Sequence, residues 1–204
     1  MNEQQNLSFA SLLASRLCHD LINPAGALST ALDVLDTESD VELRDHAESL
    51  LREATTKLVT QIEYARIAFG AAGGGEGQLD TETLRRLAER LYAFHKAELR
   101  WRLAPAGIGK AEGRALMNLL LAAERIAPRP GSVVSVEDTA GGFVIIAEGR
   151  KAKLPEDMAS AFAGDPVADD PKLMPARLAA LLAEGEGKSI RFEEEEDRVT
   201  LSLR

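Results

Sequence analysis

The sequence is poor in the residues from which disulfides and metal sites are built. It contains one cysteine and three histidines among 204 residues. A single cysteine excludes an intrachain disulfide and suits a reducing compartment, so we expect a cytoplasmic protein. Cys18 and His19 are adjacent, but neighbouring helix positions diverge by about 100°. No further cysteine or histidine accompanies them, and no partner converges on His46 or His95, so we predict no metal site.

Long apolar runs and a positive net charge are missing as well. No stretch approaches the roughly 18 uninterrupted apolar residues of a membrane-spanning helix. The first residues, MNEQQNLSF, lack the basic flank and apolar core of a signal peptide. The formal net charge of -9 argues against nucleic acid or an anionic membrane surface as the main partner. We therefore expect neither a membrane span nor nucleic-acid binding.

What the sequence does contain begins with a helical pattern over about residues 8–35. On a wheel of about 100° per residue, its leucines fall within roughly 60° of one line, which favours burial of that face. This leucine stripe consists of Leu13, Leu17, Leu21, Leu28, Leu32 and Leu35. Pro24 lies inside the helix, where it removes one backbone hydrogen bond, and we expect a kink just after His19.

A second helix is predicted after a turn at residues 36–40, and it extends to about Phe69 with apolar residues in near-heptad spacing. Two helices joined by a short turn form an antiparallel hairpin. A single hairpin leaves half of its apolar surface in water, and a homodimeric four-helix bundle is the simplest way to cover it. Packing of the hairpin on the C-terminal half of the same chain is the alternative.

A glycine-rich stretch at 71–77 predicts a flexible linker between residues 1–76 and residues 77–204. No strand precedes it and no GK[ST] follows it, so it is not a phosphate cradle. The second part alternates helices with strands, including two β-hairpins. We predict helices over about 80–96, 110–126, 155–163 and 172–184, a strand over 99–103, and hairpins over 132–147 and 189–203. Such elements form an α/β sandwich, and the fold class is α+β.

His19 lies about 160° to 200° from the leucine stripe, so its ring should face solvent. The residues near it are mostly small or polar, and a second macromolecule could therefore reach the ring. We predict that these residues, together with Arg16, bind that macromolecule, and we call the set the His19 surface. It consists of Leu12, Ser15, Arg16, Ile22, Asn23, Gly26 and Thr30.

The string His19-Asp20-Leu21-x-x-Pro24 resembles the H-box of two-component histidine kinases, whose histidine accepts a phosphoryl group. The longer string LASRLCHDLINPAGAL is similar to the bacterial histidine phosphotransferases of the ChpT type, and this resemblance covers essentially the whole chain. It implies a dimeric helical hairpin followed by a sandwich that resembles the ATP-binding domain of a histidine kinase.

The second half departs from the kinases at both nucleotide motifs. Asn118 to Arg125 (NLLLAAER) resembles the kinase asparagine box, but Ala122 replaces the asparagine that would hold magnesium. The adenine-reading box falls on residues 147–151 (AEGRK), which lack its aspartate and its second glycine. Alanine has no oxygen for the metal or the adenine amine. The resemblance therefore implies a degenerate ATPase-like domain with no cofactor of its own.

The resemblance also implies a reaction. Neutral imidazole has a ring nitrogen with a free lone pair, which can attack phosphorus. His19 would take a phosphoryl group from the receiver domain of a hybrid histidine kinase (CckA-like) and pass it to response regulators (CtrA-like and CpdR-like). The receiver domains would supply the magnesium. The alternatives are an active ATP-dependent histidine kinase and a non-catalytic dimeric scaffold for receiver domains.

Three neighbours of His19 receive roles in this hypothesis. Asp20 would orient the ring through its far nitrogen, or it is a simple solvated charge. Asn23 would contact the incoming phosphoryl group, or it is an ordinary polar surface residue. Pro24 has a structural role at the site in either case, because it frees backbone groups beside the histidine.

Overall fold

The computed structural model describes residues 3–70, 77–164 and 169–204. The chain divides into two compact units, one that ends at Ala65 and one from Arg66 to Arg204. The α+β fold class is confirmed: a helical hairpin is followed by a unit of helices and strands. Most of the predicted linker lies outside the described residues, so the boundary between residues 76 and 77 stays a prediction. In the part of the chain that the structure describes, no helix has the length and apolarity needed to cross a membrane.

The hairpin consists of α1 (Glu3–Thr37) and α2 (Val41–Ala68). Both predicted helices form, although α1 begins at Glu3 and not at about residue 8. Helix α1 passes through Pro24 without interruption, and the kink stays a prediction. The turn between them is held by local hydrogen bonds. The Asp40 carboxylate accepts from the backbone N–H of Leu43 at 3.1 Å, which begins α2. Arg44 donates to the carbonyl oxygens of Leu35 and Glu38 and so occupies acceptors at the end of α1.

The buried side chains of the hairpin are mostly small. Ala31, Ala47, Ala54 and Thr60 are almost fully buried, and Tyr64 is the large buried residue of this unit. Burial raises the pKa of the Tyr64 hydroxyl above its ordinary value. The leucine stripe is not buried within one chain, since its members are half-buried and Leu32 is exposed. The hairpin thus buries mainly small residues, and its leucines remain partly uncovered.

The second unit contains a sheet of five strands: β2 (Glu98–Arg102), β4 (Val133–Thr139), β5 (Gly142–Glu148), β6 (Ile190–Glu195) and β7 (Arg198–Leu203). Their order in the sheet is β2-β4-β5-β7-β6. Only the pair β2–β4 is parallel, and the other neighbours are antiparallel. Both predicted β-hairpins are confirmed. A separate two-stranded ladder of β1 (Gln78–Asp80) and β3 (Gly107–Gly109) was not predicted, because three residues show no readable alternation.

Four helices pack against this sheet, and α4 lies against β5 and α6 in the core. They are α3 (Thr81–Tyr92), α4 (Lys110–Ile126), α5 (Glu156–Ala163) and α6 (Met174–Gly185), the last preceded by a 3₁₀ turn at Pro171–Leu173. In β5, Phe143, Ile145 and Ala147 are buried, and the residues between them are partly exposed. The predicted end of α3 at Lys96 was wrong. Bonds from Phe94 and His95 to carbonyls three residues earlier tighten the chain after Tyr92 and end the helix.

Candidate functional site

His19 lies near the middle of α1, and its side chain is 60 % exposed. The helix continues for more than four turns on either side, so the ring is carried by one uninterrupted helix. An exposed imidazole on a rigid element is accessible to a macromolecular partner and is held in a defined direction. The structure therefore presents the ring that the H-box resemblance singles out.

Asp20 and Arg16 form a chain of polar contacts that ends at the His19 ring. Arg16 Nε donates to Asp20 Oδ2 at 2.7 Å. The other carboxylate oxygen, Oδ1, lies 3.5 Å from His19 Nδ1. Nδ1 is thus the ring nitrogen that faces the carboxylate, and Nε2 is the nitrogen left for a partner. The Arg16–Asp20 pair was not predicted, although its four-residue spacing on a helix is a signal that could have revealed it.

The His19 surface is open along most of its length. Ser15, Asn23, Gly26 and Thr30 are exposed, and Ile22 is 65 % exposed. The Thr30 hydroxyl donates to the Gly26 carbonyl oxygen at 3.1 Å. A Cβ atom built on Gly26 would meet nothing within 4 Å. Five of the seven residues of the His19 surface thus lie at the surface in one strip, and the space at Gly26 is open.

Three residues of the predicted site are less exposed than that strip. Leu12 is half-buried, and Arg16 is largely covered while its guanidinium is engaged by Asp20. Pro24 is buried. Its position one turn after His19 leaves the Asp20 carbonyl without the usual intrahelical donor.

Asn118, the first residue of the asparagine-box resemblance, is fully buried and bonded within the chain. Its Nδ2 atom donates to the carbonyl oxygens of Ala68 at 2.8 Å and Arg114 at 2.9 Å. Arg114 Nη2 lies 3.5 Å from the Phe69 carbonyl oxygen, and burial lowers the pKa of this guanidinium. The Ala68 and Phe69 carbonyls lie at the C-terminal end of α2, the Arg114 carbonyl lies in α4, and all of these residues belong to the second unit. Asn118 therefore has a structural role.

Ala122 and Ala147 occupy the two positions where a kinase has its asparagine and aspartate, and their side chains have no oxygen. Ala122 is buried in α4. Gly149 has φ +153°, and its N–H donates to the Asp197 carbonyl oxygen at 3.0 Å. The Lys151 N–H donates to Asp197 Oδ1 at 2.5 Å. This stretch forms a turn packed on the β6–β7 hairpin. Among residues 3–70, 77–164 and 169–204, no three His, Cys, Asp or Glu side chains gather as a metal site requires.

His95 has a partner, which corrects the expectation that nothing converges on it. Its Nδ1 atom lies 3.4 Å from Glu124 Oε1, and its ring packs edge-on against Tyr92 with centroids 5.4 Å apart. Sequence spacing could not reveal this contact, because α3 and α4 meet only in the folded unit. His95 is part of the packing at the end of α3.

Comparison with known proteins finds relatives that agree with the resemblance seen in the sequence. Residues 81–198 match the family described as "Histidine phosphotransferase C-terminal domain". The "Protein phosphotransferase ChpT" of Brucella abortus (strain 2308) is 35 % identical over 152 residues, which cover 73 % of this chain and 71 % of that protein.

Solved structures also match. One titled "1.7 Angstrom Structure of a Bacterial Phosphotransferase" has a TM-score of 0.84 and 28 % identity, with 97 % of this chain and 96 % of that chain covered. The Acinetobacter baumannii histidine kinase AdeS matches 91 % of this chain and 95 % of its own, but its TM-score of 0.45 and 12 % identity are too low to support any inference.

A helical hairpin followed by this sheet-and-helix unit, together with these matches, defines the class: a protein phosphotransferase of a phosphorelay. Within that class, the chain belongs to the ChpT-type histidine phosphotransferase family. The family resemblance seen in the sequence is thereby confirmed.

Proposed function

We propose that this chain moves a phosphoryl group between aspartates of receiver domains through a phosphohistidine at His19. The observation that carries the proposal is the 60 % exposed imidazole at the H-box position of a regular helix. The donor is an aspartyl phosphate on the receiver domain of a hybrid histidine kinase, CckA-like by resemblance. The acceptors are response-regulator receiver domains, CtrA-like and CpdR-like by the same resemblance.

The reaction needs little from this chain beyond a positioned nucleophile. The Nε2 lone pair forms the N–P bond, the P–O bond of the acyl phosphate breaks, and its electron pair stays on the receiver carboxylate. Asp20 lies beside Nδ1 and stabilises the positive charge that the ring acquires. Asn23 lies one turn along the exposed face and can donate to a phosphoryl oxygen.

The His19 surface is the proposed docking strip for both donor and acceptor receivers. It comprises Leu12, Ser15, Arg16, Ile22, Asn23, Gly26 and Thr30, and Ile22 supplies its most exposed apolar side chain. The open space at Gly26 suits close approach of a partner helix. Arg16 differs from the others because its side chain is largely covered and its Nε atom donates to Asp20.

The hairpin supports a homodimer with a four-helix bundle. Its apolar side chains are exposed to an extent that is unusual for a monomeric helical unit. The exposed ones are Leu7, Ile22, Leu32, Val41, Leu43, Leu50, Val59 and Ile62. A second hairpin would cover those that flank the buried small residues of α2, such as Leu43 and Leu50 beside Ala47.

The proposed reaction uses no ATP and no metal held by this chain. Ala122 and Ala147 are buried, and neither has a side-chain oxygen that could bind magnesium or the adenine amino group. The magnesium ion would belong to the receiver domain. A single cysteine, Cys18, exposed on α1, fits a cytoplasmic location.

The test is phosphotransfer from a phosphorylated receiver domain to the purified chain, followed by phosphotransfer to a second receiver. Wild type and His46→Ala, which removes an exposed histidine of α2, should both accept and pass the label. His19→Ala should fold, bind the receiver and carry no label. A His19→Ala protein that still passes phosphate would overturn the proposal, and efficient labelling by ATP alone would favour a kinase.

The docking strip has its own test. Gly26→Arg places a long side chain where the wild type has open space, and it should slow transfer from the receiver without unfolding the helix. Gly185→Arg, at the exposed end of α6 where an added Cβ also meets nothing within 4 Å, is the matched control. Equal transfer rates in the Gly26 variant and the wild type would show that the receiver docks elsewhere.

A further inference from the structure

We propose that Arg16 is a positioning residue, which fixes the tautomer of His19 by holding Asp20. The inference rests on the proposed phosphotransfer through His19 and deepens it. It assigns Arg16 a task inside the site in place of direct contact with the receiver. Three groups carry it: Arg16 Nε, the Asp20 carboxylate that it holds at 2.7 Å, and His19 Nδ1 at 3.5 Å from that carboxylate.

The Arg16–Asp20 pair is unlike an ordinary ion pair on a helix surface. Its side chains are 15 % and 23 % exposed. The pair Arg52–Glu48 on α2 has the same four-residue spacing, but its side chains are 81 % and 54 % exposed and its closest N–O distance is 3.8 Å. Long charged side chains rarely stay covered unless they are paired. The covered pair beside His19 is therefore held in one geometry, and the exposed pair on α2 is not.

The geometry divides the two carboxylate oxygens of Asp20 between two partners. Oδ2 accepts from Arg16, and Oδ1 faces His19 Nδ1. Adjacent helical side chains diverge by about 100°, so Asp20 reaches the ring only in part of its rotamer range. Arg16 selects that part. A separation of 3.5 Å is long for a hydrogen bond, as catalytic contacts often are before the substrate binds.

The tautomer decides which nitrogen can attack. A free imidazole favours the proton on Nε2, which would leave the exposed nitrogen without its lone pair. A carboxylate at Nδ1 reverses this preference, because it accepts the Nδ1 proton. Nε2 then forms the N–P bond while the P–O bond to the receiver aspartate breaks and its electron pair leaves with that carboxylate. The proton stays on Nδ1 throughout, and Asp20 balances the resulting ring charge.

Variants that differ at Arg16 alone test the inference in the full-length chain. Arg16→Met keeps an unbranched apolar stem and removes the charge, and Arg16→Lys restores a single charged donor. Arg52→Met removes the arginine of the exposed pair and is the matched control. ¹⁵N NMR of the unphosphorylated protein at neutral pH reports the tautomer of His19 directly. We expect Nδ1–H in the wild type, in Arg52→Met and largely in Arg16→Lys, and a shift toward Nε2–H in Arg16→Met.

Single-turnover transfer from a phosphorylated receiver should follow the tautomer. Arg16→Met should be slower by roughly tenfold, since rates fall steeply when a reacting group loses its orientation. In an Asp20→Asn background the same Arg16→Met change should have little further effect, because Arg16 acts through Asp20. A full tenfold loss in that background would mean that Arg16 contacts the receiver or the phosphoryl group directly, and it would overturn the inference.

The outcomes separate this inference from the proposed function. If His19 carries the phosphoryl group but its tautomer is the same in the wild type and in Arg16→Met, the positioning role is wrong and the proposed function stands. If the tautomer shifts as expected but His19→Ala still transfers phosphate, the positioning geometry is correct and the proposed function is wrong. Circular dichroism and thermal unfolding identify any variant whose loss comes from unfolding.

Discussion

The two units of this chain bury apolar surface in opposite ways. In the second unit, large side chains such as Phe143, Leu116 and Leu119 are fully buried between the helices and the sheet. In the hairpin, the fully buried residues are mostly small, and every large exposed apolar side chain of the described residues except Phe192 lies there. The second unit thus has a core of its own, whereas the hairpin has an apolar surface that a single chain leaves partly uncovered.

This difference implies that the two units are stabilised in different ways. A packed core gives cooperative stability that does not depend on protein concentration. A hairpin with exposed leucines gains stability from a partner, so its stability depends on concentration. The proposed phosphotransfer site lies on the hairpin, and the residues that resemble the kinase nucleotide motifs lie in the unit with the complete core.

The largest expected effect comes from the core of the second unit. Leu119→Ala removes a fully buried side chain from α4 and should lower the free energy of unfolding by about 2–5 kcal/mol. Leu28→Ala alters the half-buried leucine stripe. The loss in free energy of unfolding that it causes should be smaller at low protein concentration than at high protein concentration, because the stripe is covered only in the dimer. Urea unfolding at two concentrations measures both, and a Leu119→Ala effect that varies with concentration would contradict the comparison.

The next effect concerns association of the hairpin. Leu43→Lys with Leu50→Lys places two charges seven residues apart on one exposed face of α2. The double variant should raise the dimer dissociation constant by roughly 100-fold, because charges would oppose each other or be buried in the bundle. Phe192→Lys, which alters the exposed apolar side chain of the second unit, should leave it unchanged. Analytical ultracentrifugation measures the constant, and equal effects of both changes would place the interface outside the hairpin.

Two glycines, one in each unit, should respond in opposite directions. Gly149 has φ +153°, and an added Cβ would lie 2.3 Å from Ser132 Oγ, so Gly149→Ala should destabilise the chain by about 1–3 kcal/mol. Gly26 is helical and open, so Gly26→Ala should stabilise α1 by up to about 1 kcal/mol. Thermal unfolding of the two variants measures the difference. A stable Gly149→Ala protein would show that the turn at residues 147–151 can rearrange.

The smallest effect is a pH dependence at the start of α3. The Thr83 hydroxyl and N–H donate to the Asp80 carboxylate and lower its pKa. A lowered pKa in the folded state stabilises the fold at a pH above the unfolded value, about 3.9, and this stabilisation is lost as pH falls through the folded value. Asp80→Asn keeps an acceptor but has no charge, so its stability relative to wild type should improve as pH falls below about 4. Parallel pH profiles of wild type and Asp80→Asn would contradict this linkage.

Much of the fold could be predicted because its elements are long and periodic. Both helices of the hairpin, the helix at residues 110–126 and the two β-hairpins follow from apolar spacing and turn residues. The β1–β3 ladder could not be predicted, since each strand has three residues and the pair forms only when Gln78–Asp80 meets Gly107–Gly109. The end of α3 was also missed, because the bonds that tighten the chain after Tyr92 leave no pattern in the sequence.

The candidate site shows the same division on a smaller scale. The direction of His19 away from the leucine stripe followed from the helical period. The largely covered Arg16 and its bond to Asp20 depended on how deeply each side chain lies in the folded unit. The role of Asn118 could not be read either, because its main partner is the Ala68 carbonyl oxygen, 50 residues away in the chain.

The sequence by itself determined the helical hairpin, the outward direction of His19, the lack of a side-chain oxygen at Ala122 and Ala147, and the family. These depend on local period and on residue types that are present or absent. Only the tertiary structure decided that Arg16 is covered while it holds Asp20, that Asn118 bonds the end of α2, and which leucines stay exposed. Burial and long-range hydrogen bonds depend on which elements pack together, and the spacing of residues along one helix does not contain that information.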